Sequence, residues 1–196
     1  KASKTNILDF SKSIIVDFER ESKKRNIDFT LGTNNPGLEV YIDRNLMDKV
    51  YFNLLSNAFK FTPEKGKISI SIKEDKPNKV VKIFFKDSGI GIPENELKEV
   101  FNAFYQGSNN YRNSSGIGLH LSKSFVELHK GRIEIISKNG TEFIVTLPLG
   151  KEHLEEKEIM KEAVLYSVHH SDYWDSDDIQ SVEPKNTEDK YSILYI

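Results

Sequence analysis

The sequence predicts an α+β domain, a two-layer sandwich of helices on a sheet. Segments with apolar residues at helical spacing are mixed with short strand-like segments. The two kinds do not alternate strictly, as they would in a doubly wound fold, and a strand pair closes the domain. Of the 196 residues, 37% are hydrophobic, enough for a core and too many for wholesale disorder.

Asp9 to Arg25 reads as a helix, with Ile14, Ile15 and Phe18 on its apolar side and Glu19, Arg20, Lys23 and Lys24 on other faces. Ile27–Leu31 and Leu38–Ile42 read as short strands on either side of the turn Asn34-Asn35-Pro36-Gly37. A second helix spans Asp43 to Phe61, with Leu46, Val50, Leu54 and Phe61 on one side and Pro63 and Gly66 as stops. Lys67–Lys73 alternates Ile68, Ile70 and Ile72 with polar residues, and Val80–Lys86 is a more continuously apolar strand. Pro93 and Glu94 open a short helix ending near Phe101. Residues 105–115 are polar and glycine-containing and read as a mobile loop. A helix from Gly116 to His129 and a hairpin, Arg132–Ser137 with Glu142–Leu147 around Asn139-Gly140, complete the pattern.

Composition excludes several functions. Without cysteine there is no disulfide scaffold, Cys-ligated zinc or thiol catalysis. A net charge of −2 argues against a generic nucleic-acid binder. No apolar run approaches the ~18 residues of a membrane span, and Lys1–Thr5 lacks a secretory signal pattern. Charge changes sign after Pro148-Leu149-Gly150. Residues 1–150 hold 23 basic and 18 acidic residues, and residues 151–196 hold 5 and 12. The expected division is a folded domain over 1–150 and an acidic linker or tail over 151–196.

Three constellations carry chemistry. Asn53, Asn57 and Lys60 fall in one narrow sector of the second helix, at the edge of its apolar stripe. They read either as the polar rim of a half-buried helix or as a metal–phosphate site. Carboxamide oxygens are hard ligands suited to Mg²⁺, and a lysine supplies a point charge for phosphate. Asp87-Ser88-Gly89-Ile90-Gly91-Ile92-Pro93 follows a buried strand. It is an ordinary strand-to-helix turn, or one whose glycines admit a ligand and whose carboxylate accepts from a base amine. Ser114-Ser115-Gly116-Ile117-Gly118-Leu119 begins a helix, where free N–H groups bind anions; the alternative is a plain glycine-containing cap. No Gly-Lys-Ser/Thr follows, so it is not a Walker motif.

In order, Asn53-x-x-x-Asn57-x-x-Lys60, Asp87-x-Gly89-x-Gly91, Phe101-x-x-Phe104-x-Gln106 and Gly116-x-Gly118-Leu119 resemble the ATP-binding domain of sensor histidine kinases, in the gyrase, chaperone, histidine kinase and MutL superfamily. Gly140-Thr141-Glu142-Phe143 and Leu147-Pro148 look like that family's last hairpin, so the resemblance covers about residues 9–150. It implies a Bergerat-type fold, a mixed sheet covered on one face by helices, and use of ATP with Mg²⁺. Asn57 would ligate magnesium with Asn53 assisting, Lys60 would meet phosphate, and Asp87 would accept from the adenine amine. Gly89 and Gly91 would shape the base pocket, with Thr141 reaching adenine through water. Residues 105–115 would form a lid, Gly116 and Gly118 would bring main-chain amides to the phosphates, and Leu119 is a further nucleotide-binding candidate. Arg112, in the lid, is a candidate contact for the terminal phosphate or a solvated side chain.

Two departures from the family pattern bear on function. Ser114 stands where many relatives have glycine, which leaves open a non-catalytic nucleotide-sensing or docking module. Asn53 stands where hydrolytic members carry a glutamate base, and a neutral amide cannot take that proton. The resemblance therefore implies transfer to a protein rather than hydrolysis. The acceptor, a histidine on a dimerisation helix, is missing. His120, His129, His153, His169 and His170 all lack the His-Glu/Asp-x-x-Thr/Asn-Pro context. The expected partners are an upstream dimerisation domain and a receiver domain, with no nucleic acid and no direct membrane contact. Tyr191–Ile196 resembles the first strand of a receiver, as in hybrid kinases; the alternative is a strand that docks on this domain itself. A cytoplasmic location is expected, with the parent protein open to membrane anchoring.

Overall fold

The computed structural model describes residues 1–107 and 116–160. In chain order the elements are β1 (Ser3–Asn6), α1 (Ile7–Lys24), β2 (Asp28–Thr33), β3 (Glu39–Ile42), α2 (Arg44–Phe61), β4 (Lys67–Asp75), β5 (Val80–Asp87), α3 (Gly118–Leu128), β6 (Arg132–Ser137) and β7 (Thr141–Pro148). Five strands form a mixed sheet in the order β2-β4-β5-β7-β6, parallel only between β2 and β4. The three helices pack on it as a second layer, as the sequence predicts.

Alternation decides which face of the sheet is buried. Ile68, Ile70 and Ile72 of β4, Val81, Ile83 and Phe85 of β5, and Phe143, Val145 and Leu147 of β7 all point inward. Ile7, Phe10, Ile14 and Phe18 of α1 meet them from the helical layer, with Met47, Val50, Tyr51, Leu54, Leu55, Ala58 and Phe59 of α2. The α2 stripe is thus wider than the expected one. Leu46 and Phe61 lie at its half-buried margins, because helix α2 touches α1, α3 and the sheet at once. Tyr51 stands edge-on to Phe85 with centroids 4.8 Å apart, and its hydroxyl meets Ser11 Oγ at 2.9 Å.

Capping fixes where the helices begin. Asn6 accepts the Asp9 N–H at 3.0 Å, and Asp43 Oδ1 accepts those of Asn45 and Leu46 at 3.1 and 3.3 Å. At the far end of α2 the Arg25 guanidinium donates to the carbonyls of Phe59 and Thr62.

Three features differ from expectation. The strands flanking the Asn34–Gly37 turn join different sheets: β2 pairs with β4, and β3 pairs antiparallel with β1 in a two-stranded sheet. The segment after Pro93 is a 3₁₀ turn, Glu94–Glu96, followed by further turns rather than a helix to Phe101. Its bonds from Glu96, Leu97 and Glu99 reach back three residues and that from Val100 reaches back four, and so short a segment does not repay α-helix nucleation. Residues 151–160 return to the chain start, where Ile159 bridges Ala2 in parallel and Met160 N–H donates to the Ala2 carbonyl at 2.8 Å.

Candidate functional site

The Asp87 turn, backed by the β6–β7 turn, and the start of α3 converge on the C-terminal half of α2. The half-buried side chains of Asn53, Asn57 and Lys60 lie there, with the Lys60 ammonium 5.5 Å from the Phe61 ring centroid. The Asp87 turn sits on the end of this helix. The Ile90 N–H faces the Phe61 carbonyl at 3.4 Å, and a Cβ at Gly89 would come 2.6 Å from that same oxygen. Only glycine permits this approach.

Asp87 is the buried carboxylate of the site, 6% exposed at the end of β5. Its Oδ1 accepts the N–H of Gly89 at 2.8 Å and that of Thr141 at 3.2 Å. Burial pushes its carboxyl above the usual range, and these two amides pull it back. Both of these bonds fall on Oδ1 rather than Oδ2. The β6–β7 turn closes over the same spot. Ser137 Oγ accepts the Ile92 N–H at 2.7 Å and donates to the Gly140 carbonyl at 3.0 Å. Gly140 has φ +94°, and a Cβ there would lie 2.0 Å from the Asp87 carbonyl oxygen. A Cβ on Gly91, at φ +71°, would lie 2.9 Å from Ser137 Oγ.

The start of α3 approaches from the other side. A Cβ at Gly118 would lie 2.2 Å from Asn53 Oδ1, so the helix opens directly against that carboxamide. The Asn53 Nδ2 donates to Ser122 Oγ at 2.8 Å, one turn further along α3. Gly116, at φ +69°, accepts the Phe104 N–H at 3.0 Å through its carbonyl and so ties the two ends of the 105–115 segment together. The Leu119 side chain packs on the core, leaving only its main chain to offer a ligand.

The structure sets the Asp87 turn, with Gly89, Gly91 and Thr141, on the end of α2 and sets Gly118 against Asn53, with Asn57 and Lys60 on the turns of α2 between these two contacts and Gly116 and Leu119 close to Gly118 in the chain. Arg112, Ser114 and most of the proposed lid lie outside the described residues, as do His169, His170 and the Tyr191–Ile196 segment. Sequence reasoning missed Ser122, Ser137 and Gly140 as supports. The signal for Ser122 was its position four residues after Gly118, on the same helical face. His120 and His129 are structural: His120 Nδ1 lies 3.1 Å from the Phe101 carbonyl, and His129 is 5% exposed between α3 and the start of α2.

Comparison with known proteins identifies the family and the fold. Residues 42–151 match the family described as histidine kinase-, DNA gyrase B-, and HSP90-like ATPase. The chain is 38% identical over 191 residues to histidine kinase P4 of Formosa agariphila, which covers 93% of this chain and 13% of that protein. It is 37% identical to hybrid signal transduction histidine kinase D of Dictyostelium discoideum, over 72% of this chain and 10% of that one. It thus spans a small part of these curated relatives. The solved catalytic domain of histidine kinase ThkA superposes with TM-score 0.70 at 30% identity, over 76% of this chain and 96% of the ThkA domain. A second ThkA structure, in complex with response regulator protein TrrA, superposes with TM-score 0.68 at 30% identity, over 78% of this chain and 43% of that one. With its mixed sheet, three helices and converging motifs, the chain belongs to the histidine kinase-, DNA gyrase B- and HSP90-like ATPase family, and its homologues there are the catalytic domains of sensor histidine kinases.

Proposed function

We propose that this domain binds Mg²⁺-ATP between the C-terminal half of α2, the Asp87 turn and the start of α3, and passes the γ-phosphoryl group to a histidine of a separate dimerisation domain. The single observation that carries the reading is the Asp87 carboxylate, buried at 6% exposure with Oδ1 held by two main-chain amides. A ligand amine would then have a fixed, ionisable acceptor in a turn whose close packing only glycine at 89, 91 and 140 allows. The residues fit the metal as well: Asn53 and Asn57 provide neutral carboxamide oxygens, and Lys60 provides a positive charge on the same helix.

Asp87 would accept from the adenine exocyclic amine, and Thr141 would reach the base through water. Asn57, assisted by Asn53, would hold Mg²⁺, which when bound offsets phosphate charge and fixes the phosphate chain. Lys60 would meet the phosphates directly, and Gly116, Gly118 and Leu119 would offer main-chain N–H groups. In the transfer, a neutral imidazole nitrogen forms the new N–P bond as the bond between the γ-phosphorus and the β–γ bridging oxygen breaks. ADP carries away that electron pair. Catalysis is then chiefly positioning and charge neutralisation. No base is needed for a neutral imidazole, and Asn53 could not serve as one.

The partners that follow are an upstream dimerisation domain bearing the acceptor histidine and a receiver domain. The receiver draws support from the ThkA complex with its response regulator, and a hybrid arrangement from the Dictyostelium relative. The acidic stretch after residue 150 would be the linker to such a receiver. Among the described residues no helix is long and apolar enough to cross a membrane, and ATP use accords with a cytoplasmic site.

The deciding experiment mixes this chain with its own dimerisation domain, Mg²⁺ and γ-labelled ATP. Acid-labile phosphohistidine is the expected product. ATP binding without label would favour a nucleotide-sensing module instead.

A further inference from the structure

We infer that Ser122, on α3 one turn beyond Gly118, is a positioning residue that fixes the carboxamide of Asn53 with its oxygen toward the nucleotide. The inference rests on the Mg²⁺-ATP site proposed above. An asparagine side chain has one face that can ligate a cation and one that cannot: the oxygen accepts, and the NH₂ group only donates. A half-buried amide free to rotate about its last bond would spend part of its time with the wrong end toward the metal. Here the choice is made. Nδ2 donates to Ser122 Oγ at 2.8 Å, and Ser122 is 1% exposed, so no solvent competes for that acceptor. Oδ1 is thereby turned to the opposite end of the group.

That end faces the first residue of α3. A Cβ placed on Gly118 would lie 2.2 Å from Oδ1, 2.8 Å from Cγ and 3.1 Å from Nδ2. Gly118 and Ser122 are one helical turn apart on the same face of α3. One turn of helix thus does two things to one amide: it opens space for the oxygen at its start and supplies an acceptor for the nitrogen at its end. Outer partners of metal ligands act in this way on orientation, and their removal typically costs 10–100-fold in metal affinity.

The test is a binding cycle on the full chain by calorimetry, with Mg²⁺-ATP and with ATP in excess chelator. Ser122→Ala should raise the Kd for Mg²⁺-ATP by about tenfold and leave metal-free ATP binding within about twofold. In an Asn53→Ala background the same substitution should change neither. In the nucleotide-free protein, the Asn53 side-chain NH₂ resonances should show slowed exchange that Ser122→Ala removes. Equal weakening with and without Mg²⁺, or further weakening in the Asn53→Ala background, would make Ser122 a packing residue and overturn the proposal. Unchanged Mg²⁺-ATP affinity in Ser122→Ala, with metal-dependent binding intact in the parent chain, would overturn it alone. A parent chain that binds no ATP would overturn it together with the site reading beneath it.

Discussion

His129 Nε2 accepts the main-chain N–H of Asp43 at 2.9 Å, while its Nδ1 donates to the Phe125 carbonyl at 2.6 Å. One imidazole thus joins the end of α3 to the cap of α2, and only the neutral ring can do so, because a protonated ring has no acceptor. Burial holds its pKa below the ordinary histidine value, against the opposing pull of the Phe125 carbonyl and the Asp43 carboxylate. Between the lowered folded value and 6.5 the unfolded chain binds more protons. Stability present above the ordinary value is therefore lost as pH falls through that window. Thermal unfolding should show a falling melting temperature from about pH 7.5 to about pH 5. His129→Gln keeps an acceptor but does not titrate, so its curve should be flatter. Some slope should remain, since His153 is also lowered by burial. An identical slope in the variant would place the pH dependence elsewhere.

The Asp87 carboxylate leads to a binding prediction. In Asp87→Asn the amide oxygen can still take the Gly89 and Thr141 N–H groups, so the turn should keep its shape. The NH₂ group would then face the ligand where an acceptor is needed, opposing two donors. ATP affinity should fall by about 1–3 kcal/mol, roughly fivefold to 150-fold, with little change in melting temperature. Calorimetry reads this directly. The raised carboxyl pKa adds a second sign: ATP binding by the parent chain should weaken on acidification before an ordinary carboxylate would titrate.

Gly118→Ala separates binding from stability. Gly118 is the first residue of α3, where alanine gains little over glycine, so the cost to stability is that of one side-chain hydrogen bond, about 1 kcal/mol. The new methyl, however, occupies the position of Asn53 Oδ1. The variant should melt within a few degrees of the parent, yet lose at least about tenfold in Mg²⁺-ATP affinity. Unaltered affinity would show that Asn53 does not serve the metal site from this position.

Much of this was readable in the sequence because it is local. Alternating Ile68, Ile70 and Ile72, the stops at Pro63 and Gly66, and the Asn139-Gly140 turn each depend on neighbours a few residues away, and the structure has strands, a helix end and a hairpin there. The ordered motifs on α2, β5 and α3 identified a family, so candidate residues distant in sequence could be named together. What was not readable depends on long-range choices. β1 is Ser-Lys-Thr-Asn, with small polar Ser3 and Thr5 on its buried side, and carries no apolar alternation. The partner of β2 is β4 because α2 must cross over the sheet between them, leaving β3 to the second sheet. His129 and Ser122 look like ordinary helix residues until α3 is laid against α2.

Arg25 is a further long-range contact, outside residues 42–151 that match the family. It follows α1, yet its guanidinium donates to the Phe59 and Thr62 carbonyls at the end of α2. Those carbonyls are among the groups a helix leaves unpaired at its C-terminus, where positive charge is also favoured. The side chain is 22% exposed, so water replaces it poorly. Arg25→Met keeps the stem and removes both bonds. It should cost about 1.5–3 kcal/mol, at roughly 2–4 °C of melting temperature per kcal/mol for a chain of this size. Arg25→Lys, with a single ammonium in place of the planar fork, should fall between Met and the parent. Asn57, Lys60 and the Phe61 carbonyl that meets the Asp87 turn all lie on the final turns of α2. Fraying of those turns in Arg25→Met should therefore weaken ATP binding at temperatures well below the melting transition. Full ATP affinity in a destabilised Arg25→Met would show that the α2 terminus keeps its geometry without the cap.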